Sequence, residues 1–286
     1  LRCKLFSSSR SKKGKAPSTI RLTFTAILSH LYFSLGGILF SILGIIFSIL
    51  PFKREKKKHW LRLAIGRYTK SVLYSNYGVK KVVRNPHDEK FEKPAIIIAN
   101  HSSLLDTLAM GFLPIPYIML VNDWVYNSPI FGKAIRYVEY YPTTSGIING
   151  EEELVNTIKK GNSLIVFPEG TRSTTGSIGR FHKGAFLLAQ KYNIDILPIY
   201  IHGSSNLLPK GDFIIFDGTF TIEIGERISL SETQRKQDTK KITNSISRIY
   251  KNWFQEIRYE LEDEDYFKQK VKLDFYYKSS AIYSKA

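Results

Sequence analysis

Two short runs of this sequence hold the side chains best suited to chemistry. The first is Asn100-His101-Ser102-Ser103-Leu104-Leu105-Asp106. It sits where a short β-branched run, Pro94 to Ala99, gives way to a helical pattern from Leu104 to Leu113. The carboxyl ends of parallel strands are where α/β proteins build sites. On one helix, His101 and Asp106 would diverge by roughly 140°, so they meet only if His101 lies in the turn and Asp106 in the first helical turn. An imidazole beside a carboxylate is held in one tautomer, and its protonated form is stabilised, as a general base requires. The same residues also read as a capping box, Ser103-x-x-Asp106, in which Asp106 only terminates helix amides. Ser102 and Ser103 fit turn and cap roles better than that of a nucleophile.

The second run, Phe167-Pro168-Glu169-Gly170-Thr171-Arg172-Ser173, follows an apolar strand pattern directly. A glycine for close backbone approach, several hydroxyls and one arginine together suit an anion, and arginine can hold phosphate bidentately. The other histidines, His30, His59, His87, His182 and His202, lack an acid at a useful spacing, and His182 reads as a surface or packing residue. There is no paired Cys/His spacing and no Gly-rich nucleotide loop. The only cysteine is Cys3, which excludes a disulfide-stapled module and a thiolate metal cage. No metal or cofactor is indicated.

The elements that must position these runs alternate along the chain. After the strand at Pro94–Ala99, Tyr117–Val121 and Tyr137–Tyr141 read as strands and Glu151–Lys160 as a helix closed by Gly161. Leu164–Phe167 is a buried strand, Gly184–Tyr192 a helix and Ile196–Ile201 a strand. Asp217-Gly218, between Phe213–Phe216 and Phe220–Ile224, is a hairpin signal. The fold class is α/β: a mostly parallel sheet flanked by helices, with an antiparallel end. Residues 231–286 open with a long helix in which Ile242, Ile246, Ile249, Trp253 and Ile257 share a face.

The 286-residue chain carries a net charge of +17, unevenly distributed. Residues 1–90 hold 19 Lys and Arg against 3 Asp and Glu, whereas residues 91–230 hold 11 against 13. The basic third therefore lies beside an apolar segment and the folded middle is slightly acidic, which argues against a nucleic-acid partner. Phe24 to Leu50 contains no charged residue. As one helix it would be roughly 40 Å long, enough to cross a bilayer. Lys and Arg excess on both flanks asks for the same, cytoplasmic, side. A re-entrant hairpin breaking at Gly36-Gly37 satisfies both flanks and is preferred slightly over a span. The stripe Ser34, Gly37, Ser41, Gly44 and Ser48 argues the other way, for an unbroken helix packed on a partner. From His59 to Gly78 an amphipathic helix with interspersed cations suits an anionic lipid surface.

With these runs in view, the chain resembles the lysophospholipid acyltransferase family, typified by bacterial 1-acylglycerol-3-phosphate acyltransferases. Four ordered blocks of that family recur over about residues 60–230. Block one is His101 and Asp106, block three Phe167 to Arg172, and block four the proline in Leu197-Pro198-Ile199; Phe181-His182-Lys183-Gly184-Ala185 is also similar. Block two matches only in Pro129-Ile130-Phe131-Gly132: the family's upstream lysine is replaced by Asn122, and the glutamate two residues later by Trp124. That departure bears on the acceptor head group.

The resemblance implies a glycerolipid acyltransferase-like fold. It also implies transfer of an acyl group from acyl-CoA or acyl carrier protein to a lysophospholipid hydroxyl, with 1-acylglycerol-3-phosphate as the first acceptor to expect. His101 and Asp106 would be catalytic. Glu169, Gly170, Thr171 and Arg172 would bind substrate, with Asn100 and Pro198 from the neighbouring blocks, and Glu169 as a positioning residue.

Alternatives are another acceptor, such as a lyso-aminolipid or glycerol 3-phosphate, or a non-catalytic scaffold binding anionic membrane lipids. The expected organisation is a basic segment 1–23, a membrane-embedded helix or hairpin 24–52, a basic interfacial helix region 53–90, a catalytic domain 91–230, and a C-terminal helix and tail 231–286. The expected location is the cytoplasmic face of a bacterial inner membrane. Similar domains occur fused to membrane transporters, and a start at Leu1 fits an excerpt of a longer polypeptide.

Overall fold

The computed structural model describes residues 19–51, 53–143, 150–264, 266–268 and 270. Residues 1–18 of the basic N-terminal segment and the tail from 271 lie outside them. Seven strands form one sheet: β1 (Val79–Arg84), β2 (Ile96–Ala99), β3 (Tyr117–Val121), β4 (Tyr141–Pro142), β5 (Ser163–Val166), β6 (Ile196–His202) and β7 (Gly218–Ile224). Their spatial order is β1-β7-β6-β2-β5-β3-β4. Every pairing is parallel except β6 with β7, so the mostly parallel sheet with an antiparallel element is as expected. β2, β3, β5 and β6 are buried throughout, which is why they read as continuous apolar runs.

Several boundaries differ from the sequence reading. Tyr137–Tyr141 is not a strand: helix α5 (Gly132–Tyr137) runs into it and only Tyr141–Pro142 pairs, with β3. The hairpin at Asp217-Gly218 does not form. β7 pairs with β1, residue for residue from Val79 against Gly218, and on its other edge with β6; Phe213–Phe216 is irregular chain. β1 therefore belongs to the same sheet although it lies before residue 91. The C-terminal helix α10 (Thr239–Leu261) also belongs to it. The helix buries Ile242, Ile246, Tyr250, Phe254 and Ile257, while Ile249 is exposed.

The N-terminal helices are also part of this packing. Helix α1 (Thr19–Ile49) is continuous through Gly36-Gly37, which corrects the hairpin reading. The glycines are notches rather than breaks. A methyl group on Gly36 would overlap the ring of Tyr68, and one on Gly37 would overlap Phe131 and come within 2.9 Å of Ile130. Two more residues of the small-residue stripe serve the same contact: Ser41 Oγ donates to the Ile130 carbonyl at 2.6 Å, and Gly44 faces Tyr137. The partner of the stripe is α5 of the same chain.

Helix α2 (Arg54–Tyr74) is not a free interfacial helix. Lys57, Lys58, Leu61, Arg62, Val72 and Leu73 are buried. Arg62 bonds the Val138 carbonyl at 3.0 Å, Asn162 Oδ1 at 3.1 Å and Glu139 at 2.7 Å. Lys57 donates to the carbonyls of Phe47 and Leu50, closing the C-terminus of α1. At the other end of α1, Arg21 pairs with Asp217. Helix α1 is thus fixed to the domain along its length, and a transbilayer orientation would carry these charges into hydrocarbon at several kcal/mol each. Its free face is a stripe of exposed apolar side chains, among them Leu28, Leu31, Leu35, Ile38, Ile42 and Ile45.

Candidate active site

The loops that follow β2, β5 and β6 meet at the carboxyl edge of the sheet. After β2 the chain turns through Asn100, His101 and Ser102 into helix α3 (Leu104–Ala109), with Ser103 as N-cap. Both sequence readings of Asp106 are realised in one carboxylate. Its Oδ2 accepts the amides of Ser102 at 2.6 Å and Ser103 at 2.7 Å, completing the capping box, and also meets His101 Nδ1 at 3.0 Å. A carboxylate can only accept here, so Nδ1 carries the hydrogen and Nε2 keeps its lone pair. Asp106 is 0% exposed and its Oδ1 has no partner among the described residues. The imidazole stacks on Phe167, with ring centroids 4.2 Å apart and planes at 20°. Its side chain retains 17% exposure. The result is an oriented, partly accessible base.

The loop after β5 is stapled to this turn. Glu169 Oε1 accepts the His101 amide at 2.9 Å and Oε2 the Gly179 amide at 2.7 Å. The Ser173 amide donates to the His101 carbonyl at 2.7 Å. Burial raises the Glu169 pKa above the ordinary carboxylate value, against those two amide bonds. Each Glu169 oxygen accepts a backbone amide, so this side chain positions the loop. Gly170 holds φ at 70° and a Cβ there would lie 3.2 Å from the His182 ring, so glycine is required on both counts. His182, read from sequence as packing or surface, lies against this loop.

Thr171 is exposed and Arg172 half-buried at the rim of the loop. The Arg172 guanidinium has no hydrogen-bond or ion-pair partner among the described residues.

Asn100 and Pro198, the two other expected substrate contacts, also serve the scaffold. Asn100 is buried. Its Nδ2 donates to the Ile201 carbonyl and its Oδ1 accepts the Ile201 amide, each at 2.8 Å, which ties β2 to β6. The Tyr250 hydroxyl accepts the Asn100 amide at 2.8 Å and donates towards the Ile199 carbonyl at 2.7 Å. Pro198 is buried within β6, level with Ile98, and its carbonyl accepts the Gly225 amide. Asn100 nonetheless lines the cavity beside this turn, and Pro198 does not.

Sequence reasoning missed Lys210, whose ammonium donates to the Arg172 carbonyl at 3.0 Å and lies 3.4 Å from Thr171 Oγ1. No motif signals it. A cavity of about 320 Å³ lies beside the catalytic turn, lined by Ser102, Thr174, His202, Asn206, Arg258 and Tyr266 among others. Ser102 itself bonds Ser204 at 2.9 Å and is buried, consistent with a turn role. Asn122 caps helix α4 (Asp123–Tyr126) by accepting the Trp124 amide at 3.3 Å, and Trp124 is 65% exposed. Among the described residues, no three His, Cys, Asp or Glu side chains gather as a metal site would require.

Residues 79–202 match the family model described as Acyltransferase. A chloroplastic 1-acyl-sn-glycerol-3-phosphate acyltransferase of Arabidopsis thaliana is 31% identical over 124 residues, which are 42% of this chain and 35% of that protein. A Brassica napus relative of the same description is 30% identical over 124 residues, covering 42% and 36%. The chain thus spans about a third of these plant relatives' length. A 1-acyl-sn-glycerol-3-phosphate acyltransferase of Pseudomonas aeruginosa is 27% identical over 188 residues, 62% of this chain and 69% of that protein. Among solved structures, the 1-acyl-sn-glycerophosphate acyltransferase of Thermotoga maritima has a similar fold. Its TM-score is 0.68 at 23% identity, covering 84% of this chain and 97% of that one.

Proposed function

We propose that this chain, whose residues 79–202 match the acyltransferase family model, is a membrane-associated O-acyltransferase. It transfers a fatty acyl group from a thioester, acyl-CoA or acyl carrier protein, to the hydroxyl of a lysophospholipid in phospholipid synthesis. The acceptor supported best is 1-acylglycerol-3-phosphate, named for relatives in several organisms. The observation that carries the reading is the His101 Nδ1–Asp106 contact, which leaves Nε2 as an acceptor on a partly exposed side chain.

An alcohol is a weak nucleophile at neutral pH. His101 Nε2 takes its proton as the oxygen attacks the thioester carbonyl, and Asp106 stabilises the imidazolium that forms. The tetrahedral species collapses by breaking the C–S bond. The leaving thiolate takes the proton back from His101, so no acyl-enzyme forms and the base is regenerated. Arg172 holds the acceptor's phosphate.

Both lipids, substrate and product, reside in a membrane. The exposed apolar stripe of α1 would lie in the interface plane, and exposed cations such as Lys53, Arg54 and Lys56 would meet anionic headgroups. The cytoplasmic face of a bacterial inner membrane fits that charge.

The test is acyl transfer by purified protein, measured as thiol release, against a panel of lysolipids with both donor types. His101→Ala should lose roughly 100- to 10,000-fold in kcat, the range for general-base assistance. Equal rates for the two proteins would end the catalytic reading in favour of a scaffold. Preference for a lyso-aminolipid or glycerol 3-phosphate would reassign the acceptor, which the residues at 122 and 124 bear upon.

A further inference from the structure

The structure assigns to Lys210 the role of second cationic ligand, beside Arg172, for the phosphate monoester of the acceptor. This assignment rests on the acyltransferase reading above and names a residue outside every recognised block. Pro209 to Asp212 form a tight turn: the Asp212 amide donates to the Pro209 carbonyl at 3.1 Å, and Gly211 holds φ at 93°. In such a turn the third residue needs positive φ, which glycine supplies, and the second is presented at the apex. That second residue is Lys210.

The turn is held against the catalytic loop at its base. Ser103 Oγ, the cap of α3, donates to the Leu208 carbonyl at 2.8 Å, and Ser204, a few residues earlier, bonds Ser102. The ammonium then reaches the anion loop itself, donating to the Arg172 carbonyl at 3.0 Å and lying 3.4 Å from Thr171 Oγ1. Two basic side chains thus share one rim, and neither forms an ion pair with a carboxylate among the described residues.

The acids nearby are engaged elsewhere: Glu169 with the amides of His101 and Gly179, and Asp212 Oδ1 with the amides of Phe213 and Ile214. Like charges held together without an acid repel each other unless an anion joins them. A phosphate monoester carries about −1.5 to −2 near neutral pH, more than one guanidinium neutralises. Its oxygens can take the fork of Arg172 and a point contact from Lys210 together. An ammonium has three donors, and the protein supplies acceptors at two distances only, one of them long. Position 122, after β3, contributes an amide side chain engaged as a helix cap and no charge.

The experiment compares wild type, Lys210→Gln and Lys210→Arg, as full chains in phosphatidylcholine nanodiscs. Lys210 is exposed, so each variant should fold, checked by melting temperature. For 1-acylglycerol-3-phosphate, Lys210→Gln should raise KM roughly 10- to 100-fold, the range for one charge-assisted hydrogen bond, with kcat within about threefold. Lys210→Arg should restore KM, and the slow rate on monoacylglycerol, which lacks the phosphate, should be unchanged by either. A fall in kcat at constant KM, or an equal KM increase for monoacylglycerol, would make Lys210 a loop support and overturn the assignment. So would an unchanged KM.

A separate arm keeps this independent of the reaction. Glycerol 3-phosphate should raise the melting temperature of wild type and Lys210→Arg but not of Lys210→Gln. If wild type transfers no acyl group yet shows this pattern, the reaction reading falls and the anion ligand stands. If all three respond alike, the assignment falls.

Discussion

Replacing Asp106 by Asn separates the two duties that meet in one carboxylate. All three bonds to Asp106 fall on Oδ2: the Ser102 and Ser103 amides and His101 Nδ1. An asparagine whose carbonyl oxygen takes that place keeps every bond, the cap and the Nδ1–H tautomer. Its amide nitrogen takes the place of Oδ1, which has no partner among the described residues, at about 1–3 kcal/mol for a buried unpaired donor.

The variant should therefore fold, slightly destabilised, with His101 in place. What it loses is charge. Unit charges about 4 Å apart at an effective dielectric of about 20 interact by about 4 kcal/mol. Solvent at the partly exposed imidazole reduces that to about 2–4 kcal/mol. Asp106→Asn should lower kcat by about 30- to 1,000-fold and leave the acceptor KM unchanged, measured by thiol release under saturating donor. A variant that retains more than half the wild-type kcat would show that Asp106 is a helix cap alone. The reasoning would then fail.

Gly37→Ala tests the packing of α1. In an isolated helix the change would stabilise by about 1 kcal/mol; against Phe131 and Ile130 it should instead cost about 1–3 kcal/mol through overpacking, seen as a lower melting temperature in detergent. A rise would mean that α1 does not lie on α5. Glu89, hydrogen-bonded and paired to Arg227 at 2.9 Å through both oxygens, has its pKa held below the usual carboxylate range, chiefly by that bond. A depressed carboxylate contributes stability that is present above its unfolded pKa of about 4.5 and is lost as pH falls through the folded value. Glu89→Gln should therefore lose stability at neutral pH and show a flatter decline below pH of about 4.5, followed by urea midpoints across pH. Parallel acid limbs for the two proteins would remove Glu89 from that decline.

What could be read in the residues was mostly local. His101 and Asp106 are five positions apart on one turn, so their meeting follows from strand and helix propensity without long-range information. Gly184–Tyr192 was legible to the residue, because its apolar periodicity lies within the segment. β1 was not: Val79–Arg84 holds three cations and is a sheet-edge strand, defined only by its pairing with β7. Asp217-Gly218 misled because a hairpin signal describes a turn, whereas Asp217 serves Arg21 and Gly218 pairs across to Val79. The cations of α2 looked like membrane contacts since no sequence pattern announces that Glu139 and Asn162 will come to meet Arg62. Lys210 is the same kind of case, a single residue given its place by a tertiary turn.

The hydroxyl of Tyr250 sets an order of events during synthesis. It bridges the amide that starts the catalytic turn and the strand beside it, so that corner is unfinished until the ribosome has passed residue 250. Helix α1, which presents the greasy stripe, has been made about two hundred codons earlier, roughly 10–40 s at 5–20 residues per second. On the proposed function, the nascent chain would have time to settle on a lipid surface while still inert, and the catalyst would be assembled afterwards, already at its workplace.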